Sequence, residues 1–243
     1  MSETTTGAHL SQVWHDVLGT QPAPALWLVW ATAAAALLLV VSRPSWRIGR
    51  NLVTIAHEGG HGLAAVLTGR RLTSIRLHSD TSGLTVSRGR PHGPGMVLTA
   101  AAGYTAPPIV GLAGAWLLSA DHITALLWLA IVLLFLMLLM IRNAYGVVAV
   151  LVTGGLIFAV SWFASASVQA GFAYVVVWFL VLSGVRPVIE LQAKRSRGEA
   201  PESDADQLGR LTPFPAGLWI FLFFAVSLAC LAVAASRLLS VTP

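Results

Sequence analysis

Seven apolar stretches, most of them near the length of a bilayer crossing, dominate this 243-residue chain. They run Ala25–Val41, Trp46–Thr68, Gly95–Ser119, His122–Ile141, Tyr145–Phe163, Val168–Ile189 and Ala216–Ala235. A helix needs about 20 apolar residues to cross the hydrocarbon core. Lipid offers no partner to a free backbone amide, so such segments must pair their own backbone as helices. Only 10% of the residues are charged and 56% are hydrophobic, whereas soluble domains carry about 25% charged residues. This excludes an ordinary soluble enzyme, a nucleic-acid-binding domain and a disordered regulator. The expected fold is an all-α polytopic membrane protein with about six to seven transmembrane helices.

Residues 1–24 are polar and contain no Lys or Arg. Without a basic start ahead of the apolar run, Ala25–Val41 reads as a retained span, not a cleaved leader. Residues 25–236 then form one integral membrane domain, and 237–243 a C-terminal tail. Two polar stretches interrupt the domain. Residues 70–93 alternate partly around a turn-forming Ser79–Gly83 and read as a β-hairpin. Residues 192–212, rich in Arg, Glu and Ser, read as a solvated loop. The Gly95–Ser119 stretch carries Pro107 and Pro108, which free backbone carbonyls, so it is expected to be kinked and packed inside the bundle. The single cysteine, Cys230, can form neither an intrachain disulfide nor a cysteine metal cluster.

A net charge of +5 would suit nucleic acid, but the basic residues sit in short joints between apolar runs, where they set topology. Residues 42–50 hold Arg43, Arg47 and Arg50. The hairpin holds Arg70, Arg71, Arg76, Arg88 and Arg90. Arg142 stands alone, 186–210 hold Arg186, Lys194, Arg195, Arg197 and Arg210, and Arg237 lies near the end. If all seven stretches cross, eleven basic residues share one side and four the other. If 46–68 re-enters without crossing, the split is fourteen to one. Both alternatives place the hairpin and the 186–210 loop in the cytoplasm.

Inside the second apolar stretch stands His57-Glu58-Gly59-Gly60-His61, an H-E-x-x-H pattern. On a helix, residues four apart share a face, so both imidazoles can bind one zinc ion. Glu58 beside them is placed as general base for a zinc-bound water, whose pKa the metal lowers toward about 7. A His–Glu pair in a membrane helix is costly and marks function. Gly59 and Gly60 leave a bare surface on which a second helix can close, either toward the zinc face or as ordinary small-residue packing.

That motif, the Arg-rich hairpin after it and the small-residue run Ala101-Ala-Gly103-Tyr-Thr-Ala-Pro107 resemble the site-2 protease family, and most closely its compact bacterial branch, the peptidase M50B-like proteins. Further matching segments are Arg76-Leu-His78 with Asp80 and Gly83, Arg142-Asn143, and Ser203-Asp-Ala-Asp-Gln-Leu208 with Pro215 and Trp219. The resemblance implies an intramembrane zinc metalloprotease of the bacterial plasma membrane. Its substrate would be a membrane protein or peptide, cut near the cytoplasmic side. His57 and His61 would bind the metal and Glu58 would act as base. The family's third ligand, an Asp in an Asn-Pro…Leu-Asp-Gly-type motif, has no counterpart here, and His122–Ile141 holds no acidic residue. Asp204 is the favoured third ligand, because it lies in a matching segment on the expected side. Asp206 and Asp80 are the alternatives, with His78 and His92 as nitrogen donors. Ser203 or Asp204 could equally cap a short helix starting near Ala205.

Two other functions fit parts of the pattern. One is a non-proteolytic relative that keeps the metal site as a scaffold. The other is a transporter or ion path, which predicts further intramembrane charges and inverted repeats; the sequence has almost none of the former and no visible repeat.

Overall fold

The computed structural model describes residues 19–240 together with His15 and Val17. Most of the polar N-terminal tail, and residues 241–243 of the C-terminal one, lie outside the described residues. The chain is mostly helical. In order it forms α1 (Leu26–Val41), α2 (Arg43–Leu67), β1 (Arg71–Leu77), β2 (Gly83–Arg88), α3 (Pro94–Ser119), α4 (Ile123–Leu138), α5 (Ala144–Phe163), α6 (Ala166–Ser183), α7 (Val185–Ser196), α8 (Asp204–Leu211) and α9 (Ala216–Leu239).

Among the described residues, four helical stretches are long and apolar enough to cross a membrane: α3, α5, the α6–α7 run and α9. A fifth is counted if α1 and α2 are taken as one span, but that pair is bent by 99°. The bend has a local cause. Ser42 is extended, and Pro44 enters the first turn of α2, where a missing N–H costs nothing. Helix α4 has only 16 residues, about 24 Å of helix, shorter than its apolar window because Leu139–Ile141 leave the helix to meet the hairpin. Pro107 and Pro108 lie within α3 and are both buried.

The helix ends gather at two poles. At the first, Gln21 N–H donates to the Asp121 carbonyl (2.9 Å) and His122 Nδ1 to that of Gly19 (3.0 Å). Residues 21–25, Trp27 and Leu28 also line a cavity with the start of α6, and Arg237 of α9 lies over the Trp116 ring at 4.0 Å. At the second, the end of α1 meets the start of α7, where Arg186 donates to the Val40 carbonyl. Trp46 and Arg50 of α2 reach Glu190 of α7, and Thr68, just past α2, packs against Gly95 at the start of α3. Both ends of α2 therefore belong to the second pole.

The hairpin lies against α2 at that pole. β1 and β2 pair antiparallel, with a register shift between Leu72 and Ser74. The other edge of β1 is covered by the α4–α5 joint. Ile75 N–H donates to the Met140 carbonyl (2.8 Å), and Arg142 N–H to that of Ile75 (3.0 Å). The Asn143 side chain completes the joint like one more strand residue, donating to the Leu77 carbonyl (2.6 Å) and accepting from its N–H (3.2 Å).

The stretch expected to be a solvated loop is not one. Residues 192–196 continue α7, and residues 204–211 form α8, whose Ala205 and Leu208 are fully buried against Val188, Leu191, Ile220 and Phe223. Composition misled here because two apolar residues at helical spacing suffice to dock a short amphipathic helix. Ser203 is the N-cap, accepting from the Asp206 amide, which is how a serine satisfies an orphan donor of the first turn.

Candidate metal centre

Helix α2 puts His57 and His61 one turn apart on a single face, with ring centroids 4.8 Å apart. Helix α3 crosses that face. It can do so only because both surfaces are bare: a Cβ on Gly103 would overlap the Nε2 atoms of both histidines, and one on Gly60 would overlap Ala106. Gly59, by contrast, faces Met137 at an ordinary distance. The approach brings the Thr99 carbonyl to His61 Nδ1 at 2.7 Å. A carbonyl only accepts, so Nδ1 carries the hydrogen and Nε2 keeps its lone pair. Tyr104 closes the other flank, edge-on to His57 at 4.9 Å and stacked on Phe223 of α9 at 5.2 Å.

Into this face α8 delivers Asp204. Its Oδ2 lies 3.3 Å from both His57 Nε2 and His61 Nε2, which are 3.2 Å from each other. These three ligand atoms form the one group of at least three His, Cys, Asp or Glu side chains among the described residues that could hold a metal ion. Oδ2 is buried and has no hydrogen-bond donor. With neutral imidazoles, only His57 can bring a hydrogen to three converging acceptor atoms. Such a set is frustrated alone and satisfied by a cation. Two imidazoles and one carboxylate are also the donor set of a catalytic zinc site with an open position.

The alternative ligands are engaged elsewhere. Asp206 faces Arg195, whose Nε and Nη2 donate to its carboxylate at 2.7–3.0 Å, and Ser203 adds a hydroxyl. The Arg195 hydrogen bonds hold Asp206 below its ordinary range. Asp80 accepts from Ser82 N–H and Oγ in the exposed hairpin turn, which His78 shares. His92 is exposed beyond β2.

Glu58 is 4% exposed and lies on the hairpin side of α2. Thr85 of β2 donates its hydroxyl to Glu58 Oε2 at 2.6 Å, and Gly83 leaves the room that the carboxylate fills. Thr85, Thr99 and Tyr104 were not singled out from the sequence. Tyr104 and Gly103 sit in the small-residue run that carries the family resemblance, but nothing local marks either threonine.

A second polar cluster lies at the other half of α2. Glu190 Oε1 accepts from Trp46 Nε1 and Arg186 Nε, each at 3.1 Å, and Oε2 meets Arg50 at 3.0 Å. The Arg186 guanidinium also covers the Trp46 ring at 4.6 Å. A cleft of about 260 Å³ lined by Arg50, Tyr104, Glu190, Lys194 and Ser203 opens between the two clusters.

With the fold and this geometry established, comparison decides the family. Residues 30–234 match the Peptidase M50B-like family. The chain belongs to that family. Membership implies a metallopeptidase, and the long apolar helices make it an integral membrane one. No curated protein and no solved structure matches the chain.

Proposed function

We propose that this protein is an intramembrane zinc peptidase that hydrolyses a peptide bond of a membrane-embedded protein or peptide near the cytoplasmic face. The observation that carries this reading is the convergence of His57 Nε2, His61 Nε2 and the donorless Asp204 Oδ2 within 3.3 Å. These three residues would hold the metal. Zinc bound there supplies Lewis-acid polarisation and makes water nucleophilic near neutral pH. Glu58 is the general base: it takes the proton of the attacking water and passes it to the leaving nitrogen. Thr85 fixes the carboxylate that performs this transfer. Thr99 fixes the tautomer of His61, as partners of metal-bound histidines do.

The topology that supports the cytoplasmic placement has six crossings, α1, α3, α4, α5, the α6–α7 run and α9, with α2 re-entering. The second pole then holds fourteen of the fifteen basic residues, and Arg237 alone lies at the first. The positive-inside rule puts the second pole, with the hairpin and α8, in the cytoplasm.

The test is metal content and peptidase activity of detergent-purified protein. Wild type is expected to hold about one zinc per chain and to cleave a transmembrane peptide library. His57→Ala is expected to lose both. Glu58→Gln is expected to keep the zinc and lose about 10²- to 10⁴-fold in rate. Folded wild type without metal overturns the reading; metal without cleavage moves it to a metal-binding scaffold.

A further inference from the structure

We infer that the outward face of the β-hairpin is a docking surface for anionic phospholipid headgroups. The argument begins with register. Arg71 and Arg76 are five residues apart, so a regular strand would turn them to opposite faces. The shift between Leu72 and Ser74 changes this: Arg71 pairs with Arg88, Ser74 with Val86 and Arg76 with Leu84. One face of the hairpin therefore carries Arg71, Ser74, Arg76, Leu84, Val86 and Arg88. The alternate residues Gly83 and Thr85 turn to Glu58, and Ile75 and Leu77 are buried.

That face has a composition with few uses. It holds three exposed arginines and no carboxylate. Among the described residues, none of the three forms an ion pair, whereas Arg186, Arg195, Arg197 and Arg210 all find acidic partners. Arg71 and Arg88 stand directly across the ladder, a like-charge pairing that costs stability unless an anion sits between them. Two apolar side chains share the face, Leu84 at 50% and Val86 at 38% exposure. The last turns of α2, immediately before the hairpin, also expose Leu63, Val66 and Leu67. Arginines flanking exposed aliphatic side chains match the boundary where phosphates meet acyl chains. The hairpin stands at the pole with fourteen of the fifteen basic residues, so a bilayer surface is the partner within its reach. The docked face is separate from the Glu58 side, and lipid would brace the hairpin without occupying the peptide site.

The experiment uses full-length protein in phosphatidylcholine nanodiscs with and without phosphatidylglycerol, and reads lipid retained per chain by native mass spectrometry. Wild type should enrich phosphatidylglycerol, less so as salt rises. Arg71→Gln, Arg76→Gln and Arg88→Gln should each reduce the enrichment about fivefold at low salt. The triple Arg→Lys variant should keep most of it, and a thermal melt confirms that each variant is folded. No preference in wild type overturns the proposal, as does enrichment unchanged in the triple Gln variant. Suppression by millimolar inorganic phosphate would assign the face to a free anion. Loss of acidic-peptide binding without loss of lipid enrichment would assign it to a peptide; either result overturns the lipid reading. None of these readouts depends on peptidase activity or bound metal.

Discussion

The two halves of α2 carry two polar clusters that differ in one respect. At the N-terminal half, a carboxylate is matched by permanent cations: Glu190 Oε1 accepts from Trp46 and Arg186, and Oε2 is ion-paired with Arg50. At the C-terminal half, His57, His61 and Asp204 turn acceptor atoms toward one another. The first cluster is charge-matched by the protein itself and ties α2 to α7 beside the 99° corner between α1 and α2. The second has no permanent cation of its own, which is what supports the proposed function. Buried polar groups that no other group satisfies mark where a ligand belongs.

The sharpest way to break this comparison is to remove one acid from each cluster. Asp204→Ala should drop bound zinc from about one per chain to background, because a catalytic site needs three protein ligands. Glu190→Ala should leave metal content per folded chain unchanged. If Glu190→Ala lost metal as completely as Asp204→Ala, the two clusters would be one functional unit and the contrast would fail.

Added zinc should separate the clusters next. A ligand that binds only the folded state stabilises it by about 2.7 kcal/mol at a hundredfold excess over Kd. A melt of metal-stripped protein should therefore rise on zinc addition in wild type and in Glu190→Gln, and stay flat in Asp204→Ala. The Glu190→Gln change should itself cost about 1–3 kcal/mol in every metal state, since it leaves the Arg50 and Arg186 guanidinium groups without their counter-ion.

The same contrast explains what could be read from the sequence. His57, Glu58 and His61 were legible because a helix places residues four apart on one face whatever surrounds it. Ser203 as a cap was legible for the same local reason. Asp204 was suggested by family pattern and topology; its spacing to the histidines, more than 140 residues earlier, says nothing. The Glu190 cluster was not visible, because its partners Trp46 and Arg50 are equally distant and meet it only when α1 turns into α2. The buried face of α8 was missed because Arg, Glu and Ser around it dominate the local composition. The apolar window of 46–68 left crossing and re-entry open, because composition carries no trace of the 99° corner that joins α1 to α2.

The smallest expected effect concerns the residue that looks most like Asp204 and behaves least like it. Asp206, two positions on, belongs with the satisfied cluster type: Arg195 and Ser203 engage its carboxylate. Its work is to tether the first turn of α8 to α7 and so hold Asp204 against the histidines. Asp206→Asn should keep the zinc but weaken its affinity about tenfold, the scale of lost supporting contacts around a metal. The acid dependence follows from the lowered pKa. A carboxyl whose folded pKa lies below its unfolded value contributes its full stability above the ordinary carboxylate range. That contribution is lost as pH falls through the folded value. Hydrogen-exchange protection of the α8 amides should thus exceed that of Asp206→Asn at neutral pH and through mild acid. The two should converge only below the ordinary carboxylate range. Equal protection at neutral pH would mean that burial of Ala205 and Leu208 alone positions α8, and that the Arg195 contact adds nothing to the metal centre.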